Sequence, residues 1–156
     1  MKVAVITISD RAERRELEDI SGLEIEKALK ACFPDAEVNR AIVPDEKDRI
    51  LQALKAADSS DFILTTGGTG ISPRDVTPDA TAEFCEKEIP GIAEALRDAS
   101  RAETPNAMLS RGYAGLRGSC IVVNFPGSPK AVRLCMQVLG PVMDHAVRML
   151  RGEGHS

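Results

Sequence analysis

The stretch DFILTTGGTGISPRDVTPDAT, residues 61–81, joins an apolar run to a loop rich in glycine, proline and acid. Its first part, DFILTT, has the composition of a strand that is buried on both faces, as in the interior of a parallel sheet. Gly67, Gly68 and Gly70 follow at once. In open α/β sheets, ligands bind at the carboxyl ends of the strands. The stretch therefore predicts an α/β fold with a site after this strand.

Three further segments have the composition of strands. Val3–Ile8 is a β-branched run, AEVNRAIVP covers residues 36–44, and SCIVVNF covers residues 119–125. Segments with helical periodicity separate these strands along the chain, which favours right-handed crossovers and a parallel sheet. We expect a three-layer α/β/α sandwich with a mostly parallel sheet.

Start and stop signals place several helix ends. Asp19 or Ser21 is available to cap the first long helix. Thr77 resembles an N-cap with Pro78 at the first helical position, and the helix should run through residue 88. A last helix should begin at Pro129, and the pair Gly140–Pro141 should kink or split it.

Length and composition limit the classes of protein. The chain has 156 residues, so we expect one domain over residues 1–151 and a frayed tail over residues 152–156. The net charge is −4 and no Lys/Arg run occurs, which argues against nucleic acid as a partner. No apolar run is long enough for a membrane span, and the four cysteines form no CxxC pair. We expect a cytoplasmic protein with reduced, buried thiols.

The glycines of the loop predict an anion site. Gly67, Gly68 and Gly70 allow successive backbone N–H groups to converge on a phosphate without obstruction by a Cβ atom. The alternative is a tight strand-to-helix turn, which a single glycine would favour. Neither a GxGxxG motif nor a GK[ST] motif is present, so dinucleotide-binding and Walker A sites are not indicated.

Two acids near the loop suggest a cation. Asp75 follows the glycines and Asp45 ends the second strand. Mg²⁺ binds one or two carboxylates together with phosphate oxygens, so the acids and the glycines fit a magnesium-bound polyphosphate. Each acid also has a structural alternative: Asp45 could cap the helix that follows it, and Asp75 could pair with Arg74 or shape the turn.

A third cluster lies between Leu109 and Pro129. Ser110 and Ser119 supply hydroxyl groups, Arg111 and Arg117 could hold an anion, and NFPGSP forms a turn before the last helix. These residues could bind a second anionic substrate. Ordinary loop chemistry explains them equally well.

Five motifs together resemble the molybdopterin adenylyltransferase family, which is related to the G domains of gephyrin-type proteins. The resemblance covers about Val3 to Leu150. The motifs are ISDRA (8–12), VPDE (43–46), TTGGTGISPRDVTPDAT (65–81), AMLSRGYAGLRGS (107–119) and NFPGSPKAV (124–132).

The resemblance implies an α/β sandwich that assembles as a homotrimer. It implies transfer of AMP from Mg-ATP to the terminal phosphate of molybdopterin, with release of pyrophosphate. Docking with a molybdenum-insertion protein is a possible further partnership that the sequence does not decide. A non-catalytic molybdopterin-binding or scaffolding protein of the same fold is the alternative, because fold does not establish activity. The intact SPRDVTPDAT segment favours the enzyme.

The resemblance also assigns roles to residues. The catalytic and Mg²⁺-binding acids would be Asp45 and Asp75. The nucleotide and its phosphates would contact Ser9, Asp10, Gly67, Gly68, Thr69 and Gly70. Molybdopterin would contact Ser110, Gly118, Ser119, Asn124, Pro126, Gly127 and Ser128.

Overall fold

The structure, a computed structural model, describes residues 1–154 and contains six strands and six α-helices. Of the expected tail, residues 152–154 follow the last helix, and residues 155 and 156 lie outside the described residues. The strands are β1 (Lys2–Ile8), β2 (Glu37–Val43), β3 (Phe62–Thr66), β4 (Lys87–Glu88), β5 (Ala114–Arg117) and β6 (Cys120–Phe125). The helices are α1 (Asp10–Glu13), α2 (Ile20–Cys32), α3 (Lys47–Ala56), α4 (Thr77–Phe84), α5 (Pro90–Arg101) and α6 (Pro129–Leu150), and a 3-10 helix covers Pro105–Leu109.

The strands form one sheet in the order β2-β1-β3-β6-β5-β4. The four strands expected from the sequence, β1, β2, β3 and β6, pair in parallel. The short strands β4 and β5 add an antiparallel edge that the sequence reading missed. Both are short, and glycine at Gly115 weakens the strand signal of β5. The expectation of a mostly parallel sheet is confirmed.

Helices cover both faces of the sheet, which confirms the three-layer arrangement. Val3 and Val5 of β1 pack on one side with apolar residues of α2, α5 and α6. Ala4 and Ile6 point to the other side, where they pack with residues of α3 and α4. This alternation follows from the two-residue period of a strand, and it explains why β1 has to be apolar throughout.

Several helix ends differ from the sequence expectation. Asp19 caps α2, accepting a hydrogen bond from the Gly22 N–H at 2.9 Å. Thr77 does not cap α4: it is the first residue of the helix, and its hydroxyl donates instead to the Gly67 carbonyl at 2.9 Å. The same helix ends at Phe84, since the chain then turns away to form β4.

Pro141 does not split α6, which is continuous over 22 residues. The proline removes one backbone hydrogen bond, but buried residues on either side of it, including Leu139 and Met143, hold both halves against the sheet. Among residues 1–154, no helix combines the length and the apolar character that a membrane span requires.

Candidate active site

The predicted site residues gather at the carboxyl edge of the parallel strands. The chain leaves β1 at Ser9, β2 at Pro44, β3 at Gly67 and β6 at Pro126, and these loops lie side by side because the strands are parallel neighbours. The edge of the sheet is therefore built from four separate loops, each with polar residues.

The glycine loop depends on backbone conformations that favour glycine. Gly67 and Gly68 have φ of 101° and 67°. A Cβ atom at Gly67 would collide with the Ile8 carbonyl, and one at Gly68 would collide with the Thr77 hydroxyl and lie 2.9 Å from Asp45 Oδ1. Glycine is needed here both for the backbone angle and for the space.

Three N–H groups of the loop have no acceptor among the described residues. Gly67 N–H donates to the Phe125 carbonyl at 3.1 Å, which leaves it unable to bind a ligand. The amides of Gly68, Thr69 and Gly70 donate to none of residues 1–154. Because backbone donors are normally paired, three successive free amides are suited to an anion.

Asp10, in the segment after β1, and Asp45, in the loop after β2, are joined by two reciprocal hydrogen bonds. The Asp10 N–H donates to Asp45 Oδ2 at 3.0 Å, and the Asp45 N–H donates to Asp10 Oδ1 at 3.0 Å. Arg74 makes a bidentate ion pair with Asp10, through Nε at 3.1 Å and Nη2 at 2.8 Å. We call Asp10, Asp45, Arg74 and Asp75 the acid cluster.

The sequence left a structural role open for Asp45, as a helix cap, and for Asp75, as a partner of Arg74 or a turn residue. The contacts in the structure decide between these roles. Asp45 does not cap α3, because Glu46 is the N-cap residue and makes no side-chain cap bond. Asp75 does not pair with Arg74, whose guanidinium is engaged by Asp10; instead it shapes the turn by accepting from the Ser72 N–H at 3.0 Å. Shaping the turn uses only Oδ2 of Asp75.

The charges in the acid cluster are not balanced. Burial raises the pKa of Asp45 above its ordinary value, the Asp10 N–H lowers it, and the negative charges of Asp10 and Asp75 raise it further. The hydrogen bonds from Arg74 lower the pKa of Asp10. Arg74 therefore compensates Asp10, whereas the half-buried Asp45 carboxylate faces two other acids.

The acid cluster fits a hard cation. Asp45 Oδ1 and Asp75 Oδ1 accept no hydrogen bond from residues 1–154, although the second oxygen of each does. Carboxylate oxygens are the ligands that Mg²⁺ prefers, with phosphate oxygens and water completing its shell. Among residues 1–154, no group of three or more His, Cys, Asp or Glu side chains is placed to hold a metal ion.

Arg111 holds the glycine loop in place through hydrogen bonds. The sequence had suggested that its guanidinium could bind an anion, but in the structure this group is engaged within the protein. The backbone N–H of Arg111 donates to the Thr69 carbonyl at 2.7 Å, and its side chain donates to the carbonyls of Gly70 at 3.0 Å and Asp75 at 2.6 Å. The guanidinium also pairs with Asp79 at 3.1 Å. Arg111 thereby fixes the backbone that carries Asp75.

Asn124 lies at the end of β6 and is 4% exposed. Its Nδ2 donates to the hydroxyls of Thr65 and Thr81, both at 2.9 Å, and its Oδ1 accepts from the Tyr113 N–H at 3.1 Å. All the polar atoms of the side chain are therefore engaged within the protein. Its predicted role as a molybdopterin ligand remains a prediction, and its visible role is to join three elements.

A pocket of about 500 Å³ opens beside the glycine loop. We call it the large pocket, to distinguish it from the smaller pocket beside Ser9 that is described below. Its volume lies in the range of small-molecule sites, and most of its lining is apolar. Thr69, Gly70 and Asp75 belong to its wall, so it adjoins the acid cluster. Its other lining residues are Ile71, Ser72, Ala93, Leu96, Arg97, Ser100, Thr104, Asn106, Ala107, Leu109, Ser110, Gly112, Asn124, Pro126, Ser128, Ala131 and Cys135.

The pocket contains an arginine that the sequence reading missed. Arg97 lines it from α5, and its Nη1 donates to the Gly112 carbonyl at 2.7 Å. The signal available in the sequence was that Arg97 lies next to Leu96, on the side of α5 whose other residues, Ala93 and Leu96, are buried. Arg117, by contrast, lies away from the pocket, where it stacks 5.2 Å from the Phe84 ring centroid and bonds the Phe84 carbonyl.

Gly118 and Ser119 are not brought to the site. They form the turn between β5 and β6, at the end of β6 opposite to Asn124. Since β6 has six residues, this turn is about 20 Å from the loop edge. The sequence grouped them with Ser110 because the β5–β6 hairpin that separates them was not recognised; their role toward molybdopterin stays a prediction.

The remaining predicted residues lie at the loop edge in partly structural roles. The Ser9 hydroxyl caps α1 and the Ser128 hydroxyl caps α6. The Pro126 carbonyl accepts from the Thr66 hydroxyl at 2.7 Å, and the Gly127 carbonyl accepts from the Ser21 hydroxyl at 2.7 Å. Ser9, Gly67 and Gly127 also line a small pocket of about 260 Å³ on the other side of the glycine loop.

Fold and site together define an α/β domain with a glycine loop, two carboxylates and a pocket at the carboxyl edge of its parallel sheet. The model of the family described as a probable molybdopterin binding domain matches residues 4–145. The chain belongs to this family, and the resemblance found in the sequence is confirmed.

Relatives extend over nearly the whole chain. A molybdopterin adenylyltransferase of Helicobacter pylori J99 is 38% identical over 96% of this chain and 88% of its own length. A molybdenum cofactor biosynthesis bifunctional protein of Synechococcus elongatus is 40% identical over 97% of this chain and 48% of its own length. The crystal structure of the molybdopterin biosynthesis enzyme MoaB from Thermus thermophilus is 40% identical, with a TM-score of 0.88 over 97% of this chain and 96% of that one.

Proposed function

We propose that this chain is a molybdopterin adenylyltransferase, which transfers AMP from Mg-ATP to the terminal phosphate of molybdopterin and releases pyrophosphate. The observation that carries the proposal is the arrangement around the glycine loop. Three free amides lie between two carboxylates with uncommitted oxygens, and the large pocket opens beside them. The identity to named adenylyltransferases supports the choice of reaction.

The site offers separate regions to the two substrates. The large pocket has the volume and the apolar walls to hold a pterin ring, with Thr69 and Asp75 at the wall that adjoins the loop. The small pocket, beside Ser9 and Gly67, is available to the nucleoside part of ATP. The two phosphate groups would then meet at the glycine loop.

The reaction is a displacement at phosphorus. An oxygen of the pterin phosphate bonds to the α-phosphorus of ATP, the bond from that phosphorus to the bridging oxygen breaks, and pyrophosphate leaves with the electron pair. A phosphate monoester is largely a dianion at neutral pH, so it needs no general base. The catalytic task is to bring anions together and hold them in line.

The chain's own groups perform this task by position and charge. The amides of Gly68, Thr69 and Gly70 would bind phosphate oxygens, and Arg111 holds these amides in place. Asp45 and Asp75 would hold Mg²⁺ through their uncommitted oxygens. When bound, Mg²⁺ neutralises charge on the phosphates. Preorganised groups of this kind stabilise charge that is redistributed in the transition state.

Release of pyrophosphate tests the proposal directly. Purified protein with Mg²⁺ should release pyrophosphate only when ATP and molybdopterin are both present, and AMP should be found attached to the pterin by mass spectrometry. Molybdopterin binding is measured alongside without ATP. Binding without any AMP transfer would reject the enzyme and support the scaffolding alternative.

The assembly and location are part of the same proposal. By resemblance, the chain would form a homotrimer in the cytoplasm and dock with a molybdenum-insertion protein. Exposed apolar side chains on α6, such as Val142 and Met149, are available for contact between subunits. Light scattering at micromolar concentration would test the trimer, and a stable monomer would contradict it.

A further inference from the structure

Arg97 is a half-buried cation in the wall of the large pocket. Within residues 1–154 its side chain makes one hydrogen bond, from Nη1 to the Gly112 carbonyl, and it makes no ion pair. A guanidinium group has five N–H donors and remains charged at any physiological pH. Most of its donors and its charge are therefore available to a ligand.

The other arginines around the site differ from Arg97 in this respect. Arg74 pairs with Asp10, Arg111 with Asp79, and Arg117 approaches Glu86 at 3.8 Å. Each of these three has an acidic partner within the protein. Among these four arginines, only Arg97 lines the large pocket, and it has no acidic partner among residues 1–154. The lining around it is mostly apolar.

We infer that Arg97 binds an anionic group of the pterin substrate in the large pocket. This inference rests on the proposed function, because it takes molybdopterin as the occupant. Molybdopterin presents two anions that suit a guanidinium group: the terminal phosphate and the ene-dithiolate. Arginine bonds to such groups with charge-assisted hydrogen bonds, which are stronger than those between neutral groups.

The bond to Gly112 adds a positioning effect. Ser110 and Gly112 both line the large pocket, and Arg111 between them bonds the backbone of the glycine loop. A ligand bound to Arg97 would therefore contact the side chain that also bonds to the backbone of the segment 110–112. Substrate binding and the position of the loop are thereby connected through adjacent residues.

Direct binding of molybdopterin under anaerobic conditions, without ATP, tests the inference. Arg97→Met should raise Kd on the order of 10- to 100-fold, and Arg97→Lys should restore part of the affinity. Arg101→Met is the matched control: Arg101 lies on the same helix but pairs with Asp98 at the surface, so its Kd should be unchanged. Affinity of the wild type should also fall with added salt, and Arg97→Met should lessen that dependence.

A dephosphorylated molybdopterin separates the two possible anions. If Arg97→Met no longer weakens binding of this compound, the phosphate is the partner; if the effect persists, the ene-dithiolate is. Both results support the inference. Equal binding of molybdopterin by Arg97→Met and the wild type, with equal salt dependence, would overturn it while leaving the proposed function intact. Absence of binding by the wild type would overturn both.

If Arg97→Met fails to fold, the inference is still tested by the wild type and Arg97→Lys. Circular dichroism establishes which variants are folded. A Kd of Arg97→Lys for molybdopterin that exceeds that of the wild type, with no difference between the two for a neutral pterin lacking both anions, supports the inference. An affinity of the wild type for molybdopterin that is independent of salt and equal to its affinity for the neutral pterin would reject anion recognition at this position.

Discussion

The acid cluster and the Asn124 network lie at the same edge of the sheet, yet they differ in how far the protein satisfies their polar atoms. Asn124 uses all its donors and acceptors on Thr65, Thr81 and Tyr113. Asp45 and Asp75 each have one carboxylate oxygen that accepts no hydrogen bond from residues 1–154. A satisfied polar residue stabilises the fold, whereas an unsatisfied one is available to a ligand. The two regions should therefore respond differently to mutation.

The largest expected effect is on turnover at Asp75. Asp75→Asn keeps the shape but removes the charge that would hold the cation, so single-turnover AMP transfer should fall on the order of 100-fold or more. Molybdopterin binding and the free energy of unfolding should change little. Asp144→Asn, at a distant exposed acid of α6, is the matched control. Near-normal AMP transfer by Asp75→Asn would exclude Asp75 as an essential metal ligand.

The converse effect is expected at Asn124. Asn124→Ala should lower the free energy of unfolding by about 2 kcal/mol, because it removes the hydrogen bonds to the buried hydroxyls of Thr65 and Thr81 and leaves the Tyr113 N–H without an acceptor. Urea denaturation measures this, with Asn106→Ala as the control, since Asn106 is an exposed asparagine of the same pocket. A variant of normal stability that binds molybdopterin poorly would instead make Asn124 a ligand-binding residue.

Arg111 holds the backbone of the glycine loop and of Asp75, and the effect of its loss should be intermediate. Arg111→Met removes the bonds to the Gly70 and Asp75 carbonyls, so kcat should fall about tenfold and the KM for Mg-ATP should rise. Molybdopterin affinity should stay within about twofold if Arg111 acts only on the loop. Steady-state kinetics and direct binding measure both. Arg111→Lys should recover little, since one ammonium group cannot reach both carbonyls and Asp79; full recovery would show that only the charge matters.

The smallest expected effect is the pH dependence of the Arg111–Asp79 pair. Arg111 lowers the pKa of Asp79 below its ordinary value of 3.8. The pair therefore stabilises the fold fully above pH 3.8, and this contribution is lost as the pH falls through the lowered pKa. Because the pair is exposed, it should contribute at most about 1 kcal/mol. Urea denaturation of wild type and Asp79→Asn at several pH values should show a difference that shrinks towards acid; a difference independent of pH would contradict this.

Much of the fold could be predicted from local sequence. The four parallel strands are apolar runs, and Asp19 caps α2 as its residue type suggests. The β4–β5 edge and the true start of α4 could not be predicted, because they depend on contacts between distant residues. Thr77 shows this: its type favours a cap, but the Gly67 carbonyl, ten residues away, takes its hydroxyl.

The sequence by itself determined the family, the α/β class and the position of the glycine loop after a buried strand, because periodicity, glycines and motifs are local properties of the chain. Only the tertiary structure decided which polar groups remain free. The sequence suggested Arg111 and not Arg97 as a residue that could hold an anion, yet Arg111 is paired with Asp79 and the glycine loop, whereas Arg97 lines a pocket. The reason is that hydrogen bonds between side chains and distant backbone depend on which loops the parallel strands bring together, and residue type alone does not specify that.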